Sequence, residues 1–91
     1  MTLLDRVENA LAQKIPPQHR RLLEFVVARP GAFTHEIAKE CGIGNVPCRA
    51  GELNRRTLHQ LGISLEGHRQ PGHTNRYGEP NGEYRWQLRE R

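Results

Sequence analysis

Four breaker sites cut the first two-thirds of this chain into short pieces: Pro16-Pro17, Arg29-Pro30-Gly31, Gly42 and Gly62. Proline cannot continue a helical hydrogen-bond ladder, and glycine takes the left-handed turn that ends one. Each piece is too short to stand alone, so the pieces must bury their apolar sides against one another.

The spacing of Leu3, Leu4, Val7, Ala10 and Leu11 predicts an amphipathic helix over Leu3 to Lys14, with Thr2 as its cap. A second helix is expected from near Gln18 to about Arg29, with Leu22, Leu23, Phe25, Val26 and Val27 on its apolar side. Ala32 and Phe33 then form an extended link, and the Thr34 hydroxyl caps a short helix from His35 to Cys41. That helix carries Ile37, Ala38 and Cys41 on one side. Gly42 closes it, Ile43 points inward, and Asn45 caps the next segment with Pro47 in its first turn, where a missing N–H costs little.

The helix after Asn45 is expected to run from Val46 to Leu61 and end at Gly62. At 100° per residue, Val46, Ala50, Leu53, Thr57 and Leu61 share one side, Cys48, Glu52, Arg55 and His59 lie opposite, and Asn45, Arg49 and Arg56 flank them. Much of this helix therefore faces outward with arginines. Gly51 costs roughly 1 kcal/mol of helix propensity, which is tolerated where another backbone comes close.

Beyond Gly62, ISLEGHR and EYRWQL alternate apolar and polar residues as strands do, with Tyr84, Trp86 and Leu88 on one face. Between them lies QPGHTNRYGEPNG, a loop rich in Gly, Pro and Asn, so the pair reads as a hairpin with Asn81-Gly82 as its turn. Trp86 is expected to pack between the hairpin and the helices.

Ninety-one residues make one small domain, burying about 60–65% of the surface of its unfolded chain. Its apolar fraction is 35% and its aromatic fraction 5%, so Leu, Val and Ile must supply the core and a large cofactor cavity is not expected. Net charge is +4, and every Lys or Arg from Arg49 onward is an arginine. Arginine suits planar, bidentate contact with phosphate or a guanine edge, so a polyanion is the first partner to consider. Two cysteines are too few for a disulfide framework, no signal peptide is evident, and no run of roughly 18 apolar residues could span a membrane. The simplest location is a reducing cytoplasm.

The order helix, short helix, turn, longer helix, hairpin is that of a winged helix-turn-helix domain, in which the longer helix enters the DNA major groove. FTHEIAKECGIGNVPCRAGELNRR resembles the core of the small winged-helix domains of phage and prophage proteins: a helix ending in Gly42-Ile43, a turn with Pro47, then Arg49, Glu52, Leu53 and Arg55. NRYGEPNGEYRWQL resembles their wing. The likeness covers roughly residues 20 to 88 and departs at Thr57 to Gln60, which look like an inserted turn lengthening the helix. It implies an α+β, mainly helical fold: an amphipathic helix and Pro-Pro linker over 1–17, then a winged helix-turn-helix domain over 18–91.

The function implied is sequence-reading binding of double-stranded DNA in regulation of transcription or recombination. On this reading Asn45, Arg49, Glu52, Arg55, Arg56 and His59 meet the major groove, while Arg69, His73, Asn75, Arg76 and Tyr77 grip the phosphate backbone. A plainer reading has Glu52 pairing Arg55 or Arg56 on a solvated helix face, worth about 0.2–0.5 kcal/mol per pair. The leading helix completes the core or pairs two copies, and a homodimer would take half-sites one or more helical turns apart. The alternative is a winged helix that binds a host protein and no DNA, which Glu52, Glu66, Glu79 and Glu83 near the basic faces favour.

Cys41, Cys48, His68 and His73 are metal-ligand types, but six residues separate the cysteines, wider than structural zinc sites use, so no metal is assigned. His35 with Glu36, or Cys48 with His59, lacks a third orienting group, so neither catalysis nor a small-molecule substrate is expected.

Overall fold

A computed structural model describes residues 2–69 and 84–91. Among them the chain is α+β and mainly helical: α1 (Leu3–Ala12), α2 (Pro17–Ala28), β1 (Ala32–Phe33), α3 (Thr34–Cys41), α4 (Val46–Leu53), a π turn (Asn54–Leu58), a 3-10 turn (His59–Leu61), β2 (Ile63–Arg69) and β3 (Tyr84–Glu90). The three strands form an antiparallel sheet in the order β1-β3-β2.

Thr2 caps α1 as expected: its hydroxyl accepts from the Asp5 N–H at 3.1 Å, and the Asp5 carboxylate accepts from the Thr2 N–H at 3.1 Å. The helix ends at Ala12, two residues before the expected Lys14. Arg20 explains the early stop, because its Nη2 donates to the carbonyls of Leu11 and Gln13 at 2.8 and 3.1 Å and so satisfies the terminal carbonyls from α2. Val7 and Ala10 enter the same core as the rest of the chain. Helix α1 thus contributes to that core.

Pro17 occupies the first turn of α2, where its missing N–H is harmless. His19, Leu22, Leu23 and Val26 are the buried positions of this helix, at helical spacing, with Phe25 and Val27 packed at the margin. Gly42 closes α3 with φ of +65°, and Ile43 beyond it is buried. Thr34 does not cap α3. Its hydroxyl instead accepts from the Trp86 indole N–H at 2.8 Å, while the Glu36 carboxylate accepts from the Phe33 N–H at 3.0 Å at the start of the helix. A buried indole needs an acceptor, and Thr34 is the one that the sheet brings within reach.

The helix expected to be continuous from Val46 to Leu61 changes character at Asn54. Asn54 reaches across to β2, accepting from the Leu65 N–H at 2.7 Å and donating to the Leu65 carbonyl at 3.0 Å. A π turn follows, within which Thr57 and Leu58 are both buried. Gly62, with φ of +75°, ends the segment.

The expected hairpin is a three-stranded sheet, because Ala32 and Phe33 pair with Trp86 and Arg85. Along β3, Trp86 is buried and Leu88 half-buried, while Arg85, Gln87 and Arg89 are exposed; Tyr84, expected on the face of Trp86 and Leu88, is also exposed. Trp86 packs into the core, and its ring lies on Gly67, its partner across β2. A Cβ on Gly67 would come within 2.9 Å of that ring. The expected Asn81-Gly82 turn lies outside the described residues.

Gly67→Ala should therefore destabilise the fold by about 1–3 kcal/mol, the usual cost of overpacking a rigid ring. Urea unfolding should show a lower midpoint with an unchanged slope.

Candidate nucleic-acid interface

The residues expected to face a partner are held by α4 and the turns after it. Asn45 accepts from the Cys48 N–H at 3.1 Å and so fixes the start of α4. Val46, Ala50, Leu53, Thr57 and Leu58 point into the core, while Cys48, Arg55, Arg56 and His59 are exposed. The buried side predicted at 100° per residue holds through Thr57, while Glu52, expected on the outward side, is half-buried against His19. Leu61 is only half-buried, and Leu58 has joined the core.

Glu52 lies between the two sides and is not a free reading group. Its carboxylate accepts from Arg49 Nη1 at 2.7 and 2.8 Å and from His19 Nε2 on α2 at 3.2 Å, with the Cys48 thiol at 3.6 Å. It pairs backward with Arg49 and His19, not forward with Arg55 or Arg56 as the solvated-face reading had it. The hydrogen bond from His19 is the main reason that the Glu52 carboxyl is held below the usual carboxylate range, with Arg49 and Cys48 adding to it against an opposing effect of burial. Because an ionised carboxylate only accepts, His19 Nε2 carries the hydrogen in this contact.

His19 was not singled out among the site residues. Its signal is its place three and four residues before Leu22 and Leu23, on the buried side of α2, where it is 1% exposed. Its Nδ1 is enclosed and has no hydrogen-bond partner among the described residues. Arg49, Glu52 and Arg56 form one wall of an open groove of about 710 Å³, and Pro16, Pro17, Gln18, His19 and Arg21 form the other.

Gly51 has no other backbone against it among the described residues, contrary to the expected close approach. The nearest atom to a Cβ placed there is Arg55 Nη1, at 3.2 Å. Arg69 is exposed at the end of β2, across from Tyr84. His73, Asn75, Arg76 and Tyr77 lie outside the described residues, so the expected phosphate-gripping loop is not described.

Cys41 is buried, its thiol pointing to the Arg21 carbonyl at 3.5 Å. Burial pushes that thiol up, partly offset by the Arg21 charge, with Glu40 adding to the rise. Cys48 is exposed. Among the described residues no three His, Cys, Asp or Glu side chains are grouped as a metal site, and no helix is long and apolar enough to cross a membrane. His35 stacks on Phe33 at 5.7 Å between ring centres, while Glu36 serves the start of α3. A second surface is apolar: Leu3, Leu4, Val7, Val27, Pro30 and Leu88 line a hollow of about 220 Å³, with Leu4 58% exposed.

No protein-family model, curated protein or solved structure matches the chain.

A carboxyl whose pKa is lower in the folded than in the unfolded state stabilises fully above its unfolded value, and that stabilisation is lost as pH falls through the folded value. Glu52→Gln should therefore be less stable than the wild type near neutral pH, with the gap narrowing as pH falls below the ordinary glutamate value of about 4.3. Urea unfolding as a function of pH reads the difference. Gly51→Ala should raise stability by about 0.5–1 kcal/mol, since only the mobile end of Arg55 has to move. Thermal unfolding checks it.

Proposed function

We propose that this protein is a winged helix-turn-helix module that binds double-stranded DNA and regulates transcription or recombination by occupying a site, without enzymatic chemistry. One observation carries the reading: the helical segment 46–61 buries Val46, Ala50, Leu53, Thr57 and Leu58 and presents Arg55, Arg56 and His59 on the other side, with Arg49 at the margin. A helix held in this way fits a major groove about 12 Å wide.

The element order supports the same reading. A short helix ending at Gly42, a helical segment over 46–61 and a sheet in which β2 and β3 flank residues 70–83 are compatible with a winged helix. The likeness of GIGNVPCRAGELNRR to phage and prophage winged-helix domains adds the class of protein in which such a module acts.

Arg49 belongs in this reading as a prearranged group. Both of its contacts with Glu52 come from Nη1, which leaves Nη2 and Nε available for a guanine edge or a phosphate. A second reading, a winged helix that binds a host protein and no DNA, is favoured by the same ion pair, because Glu52 cancels one of the positive charges on the outward side.

Fluorescence anisotropy with labelled duplex at about 50 and 200 mM salt separates the two, since every neutralised phosphate steepens the salt dependence. Expected is binding that falls steeply with salt, and that weakens with a shallower slope when Arg49 and Arg55 are both changed to Ala. Absence of duplex binding even at low salt would overturn the DNA reading and direct the search to a protein.

A further inference from the structure

The acceptor positions of the Glu52 carboxylate are already filled. An ionised carboxylate offers about four lone-pair positions on its two oxygens. Oε1 accepts from Arg49 Nη1 at 2.7 Å and from the Cys48 thiol at 3.6 Å, and Oε2 accepts from Arg49 Nη1 at 2.8 Å and from His19 Nε2 at 3.2 Å. A glutamate reads a base by accepting from the cytosine amino group, and Glu52 has no position left for one. Its carboxyl is held below the usual carboxylate range, chiefly by the His19 bond, so at neutral pH it does not become a donor either.

Arg49 is placed differently. Both of its contacts with Glu52 leave from Nη1, while Nε and Nη2, which share the other edge of the planar guanidinium, make no hydrogen bond among the described residues. That edge is a two-donor fork of the shape that guanine O6 and N7 accept. The side chain is 34% exposed, so the fork is within reach of a partner. Arg49 also stands in the first half of α4, and it is the N-terminal part of a recognition helix that meets base edges. The Arg55 and Arg56 side chains, by contrast, are exposed and form no hydrogen bond or ion pair among the described residues. A guanidinium that is free to turn serves a phosphate, whereas discrimination between bases needs one whose orientation is set before binding.

We propose that Arg49 reads a guanine in the major groove through its Nε–Nη2 edge, and that Glu52, itself held by the buried His19, is a positioning residue that fixes this edge and touches no DNA. This rests on the DNA reading above and deepens it, dividing the outward residues into a base reader at Arg49 and phosphate contacts at Arg55 and Arg56.

The test starts with duplexes selected by the wild-type chain from a random pool. Anisotropy is then measured on the selected duplex, on its single-base variants and on random-sequence duplex, for the wild type, Arg49→Ala, Arg49→Lys, Glu52→Gln and Glu52→Asp. The selected duplexes should share a guanine whose replacement weakens wild-type binding by about 5- to 150-fold. Arg49→Ala and Arg49→Lys should both lose that preference and keep the preferences at other positions, because lysine restores the charge and not the fork. Glu52→Gln should bind random duplex more tightly, having shed a negative charge, and yet discriminate the guanine at least about fivefold less than the wild type. Glu52→Asp, with the same charge on a shorter stem, should lose discrimination without tightening on random duplex. A Glu52 that only stabilised the fold would not move the two affinities apart in this way, and retained binding of random duplex shows that each variant is folded.

Selected duplexes with no common guanine, or guanine preference retained in Arg49→Lys, would overturn the base contact and leave the DNA reading standing. Glu52→Gln tightening on every sequence by one factor would overturn the positioning role. Loss in Glu52→Gln of a preference for cytosine, with the guanine preference intact, would make Glu52 a reader and overturn it equally. Absence of wild-type binding to any duplex at about 50 mM salt would instead overturn the DNA reading itself.

Discussion

A half-buried carboxylate joins α2 to α4. Glu52 is bound from one side by the buried His19 ring and from the other by Arg49, so the ion pair does not rest on solvent alone. A surface pair of this kind contributes little, because two long side chains must be ordered in water. Here the imidazole is ordered already by the packing of Leu22, Leu23 and Val26, and Glu52 inherits that order. The contact thus links α4, which carries the arginines, to α2 beside the core that the two helices share.

Much of the fold was legible because its punctuation is chemical. Proline at 16, 17 and 47 and glycine at 42 and 62 act locally, through a missing N–H or a positive φ, and the breaks fall where these residues stand. The alternation of Trp86 and Leu88 with their exposed neighbours was equally local. What could not be read depends on contacts between distant segments. Thr34 looked like a cap because Thr is a good cap, and only the approach of Trp86, 52 residues away, gives its hydroxyl other work. Ala32 and Phe33 looked like a link because two residues carry no strand signal until β3 lies beside them.

The candidate site was legible to a different degree. Periodicity separated Arg55, Arg56 and His59 from the buried side, and the structure keeps them exposed. It could not tell that Glu52 would turn back toward Arg49 and His19, since i+3, i+4 and i−3 neighbours of a glutamate on a helix are all within reach. His19 escaped notice because a histidine at a core position is ordinary, and its meaning comes from Glu52, 33 residues later. The π turn was hidden as well: it begins at Asn54, whose side chain bonds Leu65 on β2, a contact that no window along the helix contains.

The Gly62 carbonyl has a consequence of its own. It accepts from Arg6 Nη1 at 3.0 Å and from the Arg91 N–H at 2.8 Å, so one oxygen gathers the first helix, the last residue and the end of helix 46–61. The two extremities are moored at a common post. A body tethered beyond Arg91 would therefore be carried beside α1 and the end of helix 46–61.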